Sequence, residues 1–260
     1  MDTNQKLEHA KQILLTLKSE IDSFLSSRPY RVGNMRDDDT RLIYIATHVE
    51  EVPKSIPLLT GDIIQNLRSA LDHIAYALYK LNSTGTGRHV YFPISENEAR
   101  YNEQKERWTD GMSQEVKDLF DTVRPYGGGN DILWHIHALN NIDKHRNLIT
   151  SGAALAGVDI GAHMMGNMAE LSGSMPQDFP ELHLFLRPTD NVFPLSVGSE
   201  LFIDGPGAEP NPKMGFAFNI VMNEPSLIEG VEILSALASM GGEVERQVKL
   251  FQPLLSTPIT

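Results

Sequence analysis

The chain has 260 residues, 41% of them hydrophobic, with a net charge of −12 and no cysteine. That content suffices for a core in one large domain or two small ones, and the missing thiols exclude disulfides, thiolate metal sites and cysteine nucleophiles. No apolar run is long enough to cross a bilayer, and the opening MDTNQKLEHAK lacks the basic start and apolar centre of a secretory leader, so a cytoplasmic chain with no membrane association is expected.

Residues 4–27 read as an amphipathic helix, with Leu7, Ala10, Leu14, Leu17, Ile21 and Phe24 at three- and four-residue spacing. RPYRVGNMRDDDT (28–40) reads as loop, rich in charge with Pro and Gly. RLIYIATHVEEV (41–52) reads as a strand with Ile43, Ile45, Thr47 and Val49 on one side. A helix follows from about Pro57 to Leu81, stopped by NSTGTG. RHVYFPI (88–94) is a short extended piece, and Ser95 with Glu98 forms a capping box for a helix to about Trp108. Further helices span Ser113 to Val123 and Asp131 to about Asn147, separated by RPYGGGN.

After that the texture becomes strand-like. LITSGAALAGVDIG, ELHLFLR (181–187), SELFID (199–204) and KMGFAFNIVM (213–222) are expected strands. The last alternates, with Met214, Phe216, Phe218, Ile220 and Met222 on one face. Ser226 and Glu229 form a second capping box for a terminal helix, where Gly241-Gly242 marks a point for a kink. The fold class is α+β: an N-terminal helical bundle, then an antiparallel β-sheet with a C-terminal helix. Residues 1–150 form a helical region with one inserted strand (41–50), and residues 151–260 a β-rich region with the terminal helix. The strand at 41–50 is expected to join the later sheet and make the two regions one compact unit.

NLRSALDHIAYALY (66–79) sets Arg68, Asp72 and His73 on an otherwise core-seeking helix. Arg68 and Asp72 are an i, i+4 pair on one border of the apolar stripe, while His73 lies ~140° away from Arg68. In DILWHIHALNNIDKHRN (131–147) the apolar face of Ile132, Ile136 and Leu139 continues onto Asp143. A buried carboxylate needs a partner; Arg146 at i+3 and Arg68 from the other helix are the candidates. Asn141 and His145 share another face, and Lys144 and Arg146 complete the polar set. Two readings compete: a buried network that fixes helix packing, or a site.

RSALDH, an arginine followed after four residues by histidine, resembles the Arg-x4-6-His signature of HEPN domains, all-helical modules common in bacterial toxin and phage-defence ribonucleases. LRSALDH together with NIDKHR is also similar to a group of bacterial proteins of this length. The resemblance covers the 66–79 helix and residues 131–148. It implies an HEPN-like bundle in residues 1–150 and metal-independent RNA binding or cleavage. Arg68 would hold the phosphate and His73 would move the proton, with Asp72, Asn141, Asp143, Lys144, His145 and Arg146 as binding residues. It also implies a site formed across a homodimer, which would bring the two separated residues together. Ser69 follows the arginine where the family often has Asn, Asp or His, and the β-rich half has no counterpart in a minimal HEPN module. The alternative stays open: a non-catalytic interaction or ligand-binding protein whose Arg, Asp and His groups form a structural network.

Residues 151–260 carry 4 basic and 13 acidic side chains, against 18 and 21 in residues 1–150, so non-specific DNA binding is not expected. His135 and His137 point to different helix faces, so no shared metal is expected. The GGG at 127–129 reads as a turn before an N-cap. No cofactor fingerprint occurs.

Overall fold

The computed structural model describes residues 3–83, 87, 90–146, 151–161, 164, 184–186 and 193–256, with only the backbone described at 82, 145, 146 and 256. Helix α1 (Thr3–Ser26) buries Leu7, Ala10, Leu17, Ile21 and Phe24. It lies antiparallel to α2 (Ser55–Asn82): Lys6 donates to Asn66 at 3.2 Å near one end, and Ser55 to Glu20 at 3.2 Å near the other. Helix α2 is buried over a wide arc, including Ile63, Ile64, Leu67, Ala70, Leu71, Ile74, Ala75 and Leu78. The stripe exceeds that of a surface helix because α1, α5 (Asp131–Arg146) and α6 (Ile233–Ser256) all pack on it.

The expected loop at 28–40 contains a strand, β1 (Tyr30–Arg36). It pairs antiparallel with β2 (Arg41–Val49), Tyr30 opposite Val49 and Arg36 opposite Leu42. Its charges fit an edge strand, where lysines and arginines are tolerated on the open side. Asp37 closes the turn, its carboxylate accepting from the Asp39 and Arg41 nitrogens at 3.1 and 2.8 Å. The buried side of β2 is Leu42, Tyr44 and Ala46, with Ile43 covered as well, rather than the Ile43-to-Val49 phase. On its other edge β2 pairs antiparallel with β5 (Glu200–Pro206), giving the sheet order β1-β2-β5. The early strand thus shares a sheet with the second half of the chain.

A second antiparallel sheet has the order β4-β3-β6-β7, with β3 at Ser151–Asp159, β4 at Phe185–Leu186, β6 at Gly215–Glu224 and β7 at Ile228–Glu232. The remainder of the 181–187 expectation lies outside the described residues. Strand β7 occupies the segment expected to open the terminal helix. Ser226 N does donate to Glu229 Oε1 at 3.2 Å, but Ser226 has φ 63° and the contact lies at the start of β7, just after β6. The cap of α6 is Glu232, whose carboxylate accepts from the Leu234 and Ser235 nitrogens at 3.0 and 2.6 Å. The architecture is α+β with antiparallel sheets. No helix among the described residues is long and apolar enough to cross a membrane.

Between α2 and α3 (Glu98–Trp108) the chain crosses the helices as an irregular strap, residues 90–97. Ser95 is not the cap of α3. Its nitrogen donates to Pro125 O at 3.0 Å and its carbonyl accepts from Gly127 N at 3.3 Å, so Asn97 caps instead, accepting from Arg100 N at 3.0 Å. Helix α4 (Gln114–Val123) is capped by Ser113. The strap drives Phe92 into the core, its ring 5.1 Å from Phe120 of α4 and 5.8 Å from Phe251 of α6. Burying such a ring is worth about 1.5–3 kcal/mol, which ties α2, α4 and α6 through one residue.

Candidate functional site

Arg68 and Asp72 meet on α2, Nη2 to Oδ1 at 3.0 Å, with side chains 8% and 28% exposed. Both also hold Phe92. Arg68 Nη2 donates to its carbonyl at 3.1 Å, and Asp72 Oδ1 accepts from its nitrogen at 3.0 Å. The backbone of one strap residue is therefore gripped at both polar ends by one ion pair. Burial pushes the guanidinium pKa down and the carboxyl pKa up, while their mutual attraction opposes both shifts. Arginine stays protonated in any protein setting, so a buried cation is held here by the Asp72 carboxyl group and the Phe92 carbonyl.

Asp143 does not join Arg68. Its carboxylate sits against Gly61 near the start of α2, where an added Cβ would lie 2.5 Å from Oδ1. Burial raises its pKa, the nearby Asp62 carboxylate raises it further, and Lys144 opposes. The physical reason for the miss is axial position: Gly61 lies two turns before Arg68, and only the missing side chain of a glycine admits the carboxylate there. Its other expected partner, the Arg146 side chain, lies outside the described residues, as does that of His145.

Asp143 beside Gly61 and His137 within charge range of Arg68 mean that α5 runs antiparallel to α2. His137, considered in the sequence only as part of His-x-His, lies close enough to Arg68 to feel its charge. Its ring stacks on Trp134, centroids 5.9 Å apart, and its Nε2 lies 3.0 Å from Asn141 Nδ2, which donates in the tautomer protonated at Nδ1. Burial lowers its pKa to about 4, helped by Arg68 and Lys144. Asn141 and Lys144 are exposed beside it. The signal for His137 was present as the i, i+4 pair with Asn141. Burial also lowers the His135 pKa, against the opposing Asp131. Among the described residues no group of three or more metal-ligating side chains is placed to hold an ion.

His73 lies on another side of α2, though within charge range of Asp72. It is half-buried and shares its side of α2 with Asn66, which bonds Lys6 of α1. Arg68 thus faces the strap and α5 while His73 faces the α1 side. Four buried polar atoms on these two helices have no hydrogen-bond partner among the described residues: Arg68 Nη1, His73 Nδ1, His137 Nδ1 and Asn140 Oδ1.

A second polar knot carries no motif that the sequence alone reveals. Glu243, 8% exposed, accepts from Asn130 at 2.7 Å, Arg246 at 2.7 and 2.8 Å and Gln247 at 2.6 Å. Asn130 Oδ1 in turn accepts from Leu133 N at 3.3 Å. The turn after the three glycines is fastened to α6 in this way. The placement of Glu243 three residues after buried Met240 and four before buried Gln247 was the available clue.

Comparison with known proteins adds no relative: no family model matches the chain, and neither a curated protein nor a solved structure matches it.

Proposed function

We propose that the protein is a non-catalytic ligand-binding or interaction protein in which Arg68, Asp72 and their neighbours are a structural clamp. The observation that carries this reading is the commitment of Arg68: it is 6% exposed and its Nη2 serves both Asp72 and the Phe92 carbonyl. An arginine so placed is committed to its neighbours, and removing one member of such a buried pair costs about 3–5 kcal/mol. The divergence of His73 from Arg68 supports the same reading, since general acid–base work needs both groups within hydrogen-bond reach of one bond.

The second reading is an HEPN-like helical bundle that binds or cuts RNA, acting as a homodimer. The observation that favours it is the exposed pair Asn141 and Lys144 beside His137, at the edge of the same helices as Arg68. A single experiment separates the two. Purified protein is incubated with single-stranded RNA in EDTA, alongside His73→Ala. The clamp reading predicts no cleavage by the parent. Cleavage that falls by a factor of about 10²–10⁴ in the variant establishes the ribonuclease.

A further inference from the structure

Strands β1 and β6 belong to different sheets, and Tyr30 and Val32 on one side and Met214, Gly215, Phe216 and Phe218 on the other line the space between them. Packed sheet faces ordinarily interdigitate without voids. Here an open cleft of about 600 Å³ remains beside the contact of Tyr30 with Phe218. Its aromatic walls are tied to neighbouring rings, Tyr30 5.0 Å from Phe218 and Tyr44 5.5 Å from Phe216. A smaller cavity of about 430 Å³ shares Val32, Met214 and Phe216 and continues towards Tyr44. The volume falls within the ~300–1,000 Å³ of small-molecule sites.

Arg28 is the charged residue of the lining. It ends α1 at φ 59°, the left-handed position that glycine takes most easily. Its side chain is exposed and makes no ion pair or side-chain hydrogen bond with another described residue. A bulky arginine thus stands where backbone preference disfavours it, beside the cleft and with its fork of donors unpaired among the described residues.

We infer that this cleft binds a small planar aromatic acid, its ring against Phe216 and Phe218 and its carboxylate on Arg28. Flat aromatic walls suit a ring better than a flexible aliphatic chain. A guanidinium takes a carboxylate through two parallel hydrogen bonds. A nucleotide phosphate would call for several donors, and the lining supplies one guanidinium. The inference rests on the reading of the protein as a non-catalytic binder and adds where the ligand sits and what it is.

The test is calorimetric titration of the full chain with 2-naphthoate, 2-naphthamide and cyclohexanecarboxylate. 2-Naphthoate should bind saturably at one site with a Kd below ~1 mM, and the other two at least tenfold more weakly. Arg28→Gly should weaken 2-naphthoate at least tenfold while keeping or raising the melting temperature, because glycine relieves the positive φ. Absence of saturable 2-naphthoate binding, equal binding of the three probes, or unchanged affinity in the folded Arg28→Gly protein would each overturn the proposal. RNA cleavage by the parent would instead remove the non-catalytic reading, so the two failures are distinguishable.

Discussion

Arg68 and Asp72 lie one helical turn apart, 3.0 Å from guanidinium to carboxylate, and converge on a single residue, holding the carbonyl and the nitrogen of Phe92. The Phe92 ring then enters the core between Phe120 and Phe251.

Removing one partner leaves the other buried and unpaired. Asp72→Ala is expected to cost about 3 kcal/mol, read from the urea midpoint with the slope unchanged. Replacing both with apolar residues, Arg68→Met with Asp72→Leu, should recover only part of that loss. The Phe92 nitrogen would still lack a partner, at about 1–3 kcal/mol for a buried group, while its carbonyl keeps the Ile94 nitrogen at 2.9 Å. Full recovery in the double variant would mean that the pair serves itself and not the strap.

Asp143 gives the opposite expectation. It has no cationic partner among the described side chains, and its pKa is raised by burial and by Asp62. A carboxyl group whose folded pKa is raised takes from stability as the pH climbs through that pKa. Asp143→Ala should therefore change stability by less than ~1 kcal/mol at neutral pH. Gly61→Ala should stabilise by about 0.5–1 kcal/mol in the Asp143→Ala background, through helix propensity. It should gain less in the parent, where the new Cβ meets the carboxylate. Equal effects in both backgrounds would place Asp143 away from α2.

His137 supplies a pH dependence. Its folded pKa is about 4 against an ordinary 6.5, so the unfolded chain binds a proton that the folded chain refuses. Stability should fall as the pH drops from about 6.5 towards 4 and the loss should level off below that. Its size is on the order of 3 kcal/mol. The urea midpoint of His137→Gln should fall less steeply over that window than the parent's. Parallel profiles would show that His137 protonates as freely in the fold as in the unfolded chain.

Residues 1–150 expressed alone should aggregate or fail to unfold cooperatively. They contain β1 and β2 but not β5, which covers the other edge of β2, nor α6, which packs on α2. An exposed edge with a buried face invites pairing with other chains. A soluble fragment with a sharp urea transition would refute this.

Helix periodicity made α1 and α2 legible, because three- and four-residue spacing reports burial directly. The i, i+4 rule likewise brought Arg68 to Asp72. The pairing of the 41–50 strand with the second half was also legible, while other features that depend on tertiary partners were not. Strand β1 looked like loop because an edge strand needs no apolar run. Strand β7 looked like a helix start because Ser226 and Glu229 make the same contact beside a strand as in a cap. The Phe92 backbone, the target of the Arg68–Asp72 pair, carries no side-chain signal at all. Asp143 went to Gly61 because a glycine offers room that residue charge does not reveal.

The clamp is tested most directly by native-state hydrogen exchange at the Phe92 amide, in the parent and in Asp72→Ala, with amides of α1 as the reference. The parent should protect this amide as strongly as helical ones. The variant should lose at least ~10-fold of that protection beyond any change in α1, which is the scale of one buried hydrogen bond at about 1.4 kcal/mol. Equal protection of Phe92 in the two proteins would contradict the account.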